Sequence, residues 1–97
     1  MAEPLSFTRG DTVTWTKDLA EYPANQSWLL KYYFRGPQVI DITAAASGAS
    51  HLVTIAAAAS ATYIAGRYSW QARVEKGAEK FTVDSGTITI DADMASL

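Results

Sequence analysis

His51 is the only imidazole in a chain that has no cysteine, and it directly follows Ser50. A serine beside a histidine is the raw material of nucleophilic catalysis. That chemistry needs the base within hydrogen-bond reach of the hydroxyl and a third group to orient it. Neighbouring residues of a strand point to opposite faces, so Ser50 and His51 cannot pair if both lie on one. The turn signal Ser47-Gly48-Ala49 puts His51 at a strand start, where an exposed, rim imidazole is expected. One His without Cys cannot assemble a zinc centre. Asp91-Ala92-Asp93, with Asp84 upstream, offers carboxylates for calcium, but that cation takes six to eight oxygens and no further ligand stands at a recognisable spacing; a solvated acidic end is expected. No phosphate loop, dinucleotide fingerprint or nucleophile elbow occurs. Paired carboxylates for glycoside hydrolysis would need a cleft, whereas the acids here fall at turns and outward strand positions. The expectation is a protein with no catalytic residue, no cofactor and no metal, and thus not an enzyme.

The elements that carry these residues read as strands. Apolar residues alternate with polar ones along most of the chain, the pattern of half-buried β-structure. Val13 and Trp15 share a face; Trp28, Leu30, Tyr32 and Phe34 share another, with Leu29, Lys31, Tyr33 and Arg35 opposite. Ile40 and Ile42, Val53 and Ile55, then Tyr68, Trp70, Ala72 and Val74 continue it, and Phe81, Val83, Ile88 and Ile90 complete the inward set. Arg35-Gly36-Pro37 ends the longest early strand, while Ser47-Gly48-Ala49 and Lys76-Gly77-Ala78-Glu79 read as hairpins. Asp84-Ser85-Gly86 reads as a bulge or a switch between sheets. Ala56–Thr62 is the one helix-like stretch, either a short turn crossing the open end of the sheets or a small-residue surface for another backbone. Lys17–Gln26 is the loop with most room for function.

Three tryptophans and a tyrosine define the fold class. In an immunoglobulin-like sandwich a Tyr stands at the corner before strand F, two residues ahead of the second core Cys, and a Trp is buried on strand C. In Gly66-Arg67-Tyr68-Ser69-Trp70, Tyr68 holds the corner position and Trp70 replaces the Cys. Trp28 opens the strand-C run, and Trp15 stands near the place of the first Cys on strand B. The expected fold is all-β: an immunoglobulin-like antiparallel sandwich of about seven strands, with a short helical turn before strand F. Its structural core is Trp15, Trp28, Tyr68 and Trp70, and the Tyr68 hydroxyl is expected to bond backbone within Ala58–Ile64.

Bulk properties fit one such domain over residues 1–97, with 1–6 and 92–97 as extended ends. The chain has 97 residues, 48% of them hydrophobic, and about 100 is the usual size of this sandwich. Net charge is −2, with no run of like sign, so a nucleic-acid binder, which needs a clustered basic face, is not expected. No apolar stretch reaches the roughly 20 residues of a membrane span, and the N-terminal residues lack the apolar run of a signal peptide. Synthesis in a reducing cytoplasm fits the absence of Cys.

Protein contact is the chemistry left. Leu29, Tyr33 and Arg35 lie on the nominal outer face of their strand, and aromatic and Arg side chains are enriched at interfaces. Phe7 and Arg9, in an extended N-terminal arm, are further interface candidates, since such an arm can add a strand to a neighbour.

The whole chain resembles short all-β proteins encoded in tailed-bacteriophage structural gene clusters, and is similar to the N-terminal attachment domains of some phage baseplate proteins. The residues that carry this are Arg9-Gly10-Asp11-Thr12-Val13-Thr14-Trp15, Trp28-Leu29-Leu30-Lys31-Tyr32, Phe34-Arg35-Gly36-Pro37, Gly66-Arg67-Tyr68-Ser69-Trp70-Gln71-Ala72 and Val83-Asp84-Ser85-Gly86-Thr87-Ile88-Thr89-Ile90 followed by Asp93. The resemblance implies a non-enzymatic virion protein, made in the host cytoplasm, that docks onto head, head–tail junction or tail. Its partners would be other phage structural proteins in a symmetric assembly, with self-association on the particle, and neither nucleic acid nor membrane. A carbohydrate-binding module that stacks sugars on exposed aromatics is the alternative, and a small cytoplasmic inhibitor or chaperone-like binder a third reading.

Overall fold

The period-two alternation folds into two packed sheets. The computed structural model describes residues 3–94, so Met1, Ala2 and residues 95–97 of the expected extended ends lie outside the described residues. In chain order the strands are β1 (Ser6–Thr8), β2 (Val13–Lys17), β3 (Leu29–Arg35), β4 (Val39–Thr43), β5 (Ala45–Ser47), β6 (Ser50–Ile55), β7 (Gly66–Lys76) and β8 (Glu79–Asp91), with a 3-10 turn at Ala24–Gln26 and a one-turn helix α1 at Ala57–Ser60. One sheet has the order β1-β8-β7-β3-β4 and the other β2-β6-β5. With β2, β3 and β7 as strands B, C and F, this is the immunoglobulin-like arrangement. Eight strands stand where about seven were expected. The pairing is antiparallel except where β1 runs parallel to β8. Gly48 and Gly77, at φ 62° and 60°, each open a two-residue hairpin turn, the position where a II′ turn demands glycine.

The core is centred on aromatic rings. Trp15 on β2 meets Tyr32 on β3 edge-on at 5.3 Å, and Tyr32 meets Trp70 on β7 at 5.6 Å. All three are buried, Tyr32 completely. Trp15 and Trp70 thus span the sheets where a disulfide would, and the strand-C aromatic packed against them is Tyr32. Trp28 lies one residue ahead of β3, half-buried, against Tyr22 at 4.9 Å and Phe81 at 6.1 Å. This corrects the expected role of Trp28: period two assigns its face, but its position beyond the strand leaves it at the rim. Phe81 is 43% exposed and Val83 half-buried, because this end of β8 is faced by the Asp18–Trp28 loop and not by the second sheet.

Trp70 also explains Gly86. The two residues are cross-strand partners, and a Cβ on Gly86 would stand 2.9 Å from Cε2 and Cζ2 of the indole. The extra residue in β8 is Val83: Ala72 pairs with Asp84 and Arg73 with Thr82. The bulge therefore precedes Asp84-Ser85-Gly86, and the strand stays in one sheet.

The corner before β7 is closed by hydrogen bonds. The Tyr68 hydroxyl donates to the Ile64 carbonyl at 2.6 Å, while Ile64 N–H donates to Gln38 Oε1 at 2.9 Å. Upstream, α1 forms within the alanine run. Its Ser60 is fully buried, donating to the Asp11 carbonyl at 2.7 Å and accepting from Gly10 N–H at 2.9 Å.

The N-terminal arm belongs to the fold, contrary to its expected availability to a neighbour. Phe7 is buried in the core cluster, because its partner in the β1–β8 register is the inward Ile90. Arg9 turns back on the molecule: its side chain donates to the Ala61 carbonyl and lies 4.0 Å from Asp93. Glu3 accepts from the Tyr32 hydroxyl at 2.6 Å and from Lys17 Nζ at 2.9 Å, and Lys17 reaches Asp84 at 2.6 Å. Burial and the Glu3 carboxylate push the Tyr32 phenol far above its ordinary value. Burial also opposes charge on Glu3, but the Tyr32 and Lys17 hydrogen bonds outweigh it and hold the carboxyl below its ordinary 4.5. The Lys17 hydrogen bond lowers Asp84 as well; Lys17 is raised, its two carboxylate partners outweighing desolvation.

Three outcomes follow from this packing. Trp70→Ala should lose about 3–5 kcal/mol, as large aromatic truncations in cores do, and Gly86→Ala about 1–3 kcal/mol by overpacking; urea denaturation showing under about 1 kcal/mol for both would place the indole outside the core. Tyr68→Phe should cost about 1 ± 0.5 kcal/mol, and unchanged stability would mean that the corner bond contributes nothing. For the Glu3 cluster, a lowered carboxyl contributes stability above its ordinary range and loses it as pH falls through the depressed value. Raised Lys17 contributes fully until pH climbs past its ordinary 10.5. Stability should therefore hold from about pH 5 to 10 and fall below the ordinary 4.5 of Glu3. Glu3→Gln should flatten much of that acid limb and cost about 1.5–3 kcal/mol at pH 7. An unchanged acid limb in that variant would assign the sensitivity to other groups.

Candidate docking face

β3 and β7 are adjacent inner strands of the five-stranded sheet, and their outward rows lie side by side on its face. From β3 come Leu29, Lys31, Tyr33 and Arg35; from β7, Arg67, Ser69, Gln71, Arg73 and Glu75. The register sets Lys31 opposite Arg73, Tyr33 opposite Gln71 and Arg35 opposite Ser69. On the other side of β3, Tyr33 faces Asp41 of β4. Alternation fixes these directions because Leu30, Tyr32 and Phe34, and Tyr68, Trp70, Ala72 and Val74, are all drawn into the core.

Tyr33 is the centre of this face. The Arg35 guanidinium stands 5.7 Å from its ring centroid and that of Arg73 5.8 Å, within range of a cation–π attraction. The Tyr33 hydroxyl donates to Glu75 Oε2 at 3.4 Å, and Lys31 Nζ lies 3.6 Å from the same carboxylate oxygen. Arg35 donates to Asp41 Oδ1 and to the Phe34 carbonyl, each at 2.9 Å. An open depression of about 450 Å³ is lined by Tyr33, Arg35, Ser69, Trp70, Gln71 and Arg73. Leu29, 40% exposed, continues the face. Of the interface candidates, Leu29, Tyr33 and Arg35 are brought together here, whereas Phe7 and Arg9 lie away from it in and beside β1. Arg73 is the residue sequence reasoning missed; its signal lies in the β3–β7 register and not in local spacing.

The residues with the types for catalysis are arranged for structure. His51 is buried, not on the rim; it shares the parity of Val53 and Ile55, so the strand turns it inward. A carbonyl only accepts, so His51 Nε2–H donates to Tyr22 O at 2.8 Å, pinning the Asp18–Trp28 loop to β6. Ser50 donates to Asp18 Oδ1. Hydroxyl and carboxylate are thus paired directly, while the Nε2 nitrogen is occupied by a backbone oxygen. Among the described residues, no group of three His, Cys, Asp or Glu is placed to hold a metal ion, and no helix is long and apolar enough to cross a membrane.

The aromatic cluster at the loop end is the other exposed ring surface. Tyr22 and Phe81 stack at 5.8 Å, both touch Trp28, and the Lys76 ammonium lies 5.6 Å from the Trp28 ring. The rings are therefore committed to one another. No protein-family model matches this chain, and no curated protein is similar to it in sequence.

Proposed function

We propose that this protein is a non-catalytic docking module, a structural component of a tailed-phage virion that joins head, head–tail junction or tail through protein–protein contacts. The observation that carries the docking role is Tyr33, with the Arg35 and Arg73 guanidiniums both against its ring on an open sheet face. A ring fixed by two cations on central strands meets a partner with little side-chain entropy left to lose, and Tyr and Arg are the residue types that dominate binding hot spots. The virion assignment is supported by the resemblance of the turn and core residues to phage structural proteins. Each copy offers modest surface, and a symmetric assembly supplies avidity by multiplicity.

The sugar-binding alternative is less well supported. Stacking needs an accessible indole, yet Trp15 and Trp70 are buried and Trp28 is packed by Tyr22, Phe81 and Lys76.

Mass spectrometry of purified particles should find the protein in many copies. Tyr33→Ala should leave the fold intact by circular dichroism and reduce incorporation roughly ten-fold, the equivalent of about 1.4 kcal/mol per site. Particles that lack the protein, together with an isolated domain that binds a polysaccharide, would replace this reading with the sugar-binding one.

A further inference from the structure

We propose that the depression between β3 and β7 receives a carboxylate of a protein partner, seated between the Arg35 and Arg73 guanidiniums beside the Tyr33 ring. This rests on the docking role above and names the chemistry of the partner. The chain carries a net charge of −2, yet four of its eight Lys and Arg residues, Lys31, Arg35, Arg67 and Arg73, stand on the outward rows of two adjacent strands. Glu75 is the one acid in those rows. The register sets Lys31 directly opposite Arg73, and like charges in that relation destabilise a sheet. The neighbouring acids are committed elsewhere: Glu75 is engaged by Lys31 and the Tyr33 hydroxyl, and Asp41 by Arg35, so neither pairs with Arg73. Arg73 has no ion pair among the described residues, and its contact is with the Tyr33 ring. A planar guanidinium half-buried beside a ring, with its donors uncommitted to any carboxylate, is suited to a bidentate grip on one.

The acids choose between anions. A nucleic-acid strand brings a charge every ~3.4 Å and would run its phosphates against Asp41 and Glu75, which flank the depression on either side of Tyr33 along the sheet. A protein side chain delivers one carboxylate to one point, and the rest of its surface meets Tyr33 and the exposed Leu29. The face therefore fits an acidic protein surface.

The test titrates the isotopically labelled domain by NMR with two short peptides, one carrying a single glutamate and the other glutamine in its place, and with inorganic phosphate and a single-stranded oligonucleotide. The glutamate peptide should shift the amides of Tyr33, Arg35, Gln71 and Arg73, and the glutamine peptide should not. Arg73→Gln should weaken glutamate-peptide binding at least ten-fold while leaving thermal stability equal or higher, since the repulsion with Lys31 is removed; Arg73→Lys should restore only a fraction of the binding. No shifts, shifts centred on Lys76 and Lys80, or tighter binding of phosphate or oligonucleotide at these residues would overturn the proposal. Particle incorporation separates the two claims. If Tyr33→Ala loses incorporation while Arg73→Gln incorporates normally and no glutamate peptide binds, the docking face stands and the carboxylate site falls.

Discussion

Trp15, Tyr32 and Trp70 form the contact from which the rest of this molecule follows. A sandwich without cysteine must join its sheets by packing alone, and here Trp15 of the smaller sheet meets Tyr32 of the larger, which packs in turn against Trp70. Placing a tyrosine in the middle buries its hydroxyl, and a buried donor needs a partner. Glu3 supplies the acceptor, which brings a carboxylate into the same interior; Lys17 compensates that charge, and Asp84 shares Lys17. The indole of Trp70 likewise fixes its cross-strand neighbour as glycine. An arm, a strand end and a bulge are thus held in place by the choice of aromatic rings over a disulfide.

Much of this was legible in the residues. Alternation identified the inward rows of β3, β4, β6 and β7, the glycine turns fell where the hairpins close, and Tyr68 marked the corner. What was not legible depends on distance along the chain. Trp28 and Tyr32 share a face, and period two cannot tell which of them reaches the centre. His51 carried the parity of its buried neighbours, but its partner, the Tyr22 carbonyl, lies in a loop 29 residues away. β1 pairs over only three residues with the far end of the chain, a contact with no local signal, so Phe7 and Glu3 read as a free arm. The bulge fell at Val83 because register across β7, and not the nearby glycine, decides which residue is extra.

The candidate site shows the same division. Tyr33 and Arg35 declared themselves by alternation on one strand, whereas Arg73 belongs with them only through pairing to the next. The face is held on central strands whose other sides are fully buried, so its geometry is set by the core and its chemistry is free to differ from it. That separation lets a sheet carry an unfavourable Lys31–Arg73 opposition at modest cost, because the aromatic interior, and not the surface charge, sets the balance of folding.

The parallel pairing of β1 with β8 has a mechanical consequence. Tension that draws the Glu3 end and the Asp91 end of the domain apart pulls these two strands along their length in opposite directions. The bonds of the Leu5–Arg9 backbone to Thr89 and Asp91 are then loaded in shear, all together, where an antiparallel pair pulled at its open end would unzip bond by bond. The Glu3 carboxylate, tied to Lys17 on the opposite sheet, adds a second anchor to the same segment. The domain is thereby built to resist stretching through its ends, and the short first strand acts as its clamp.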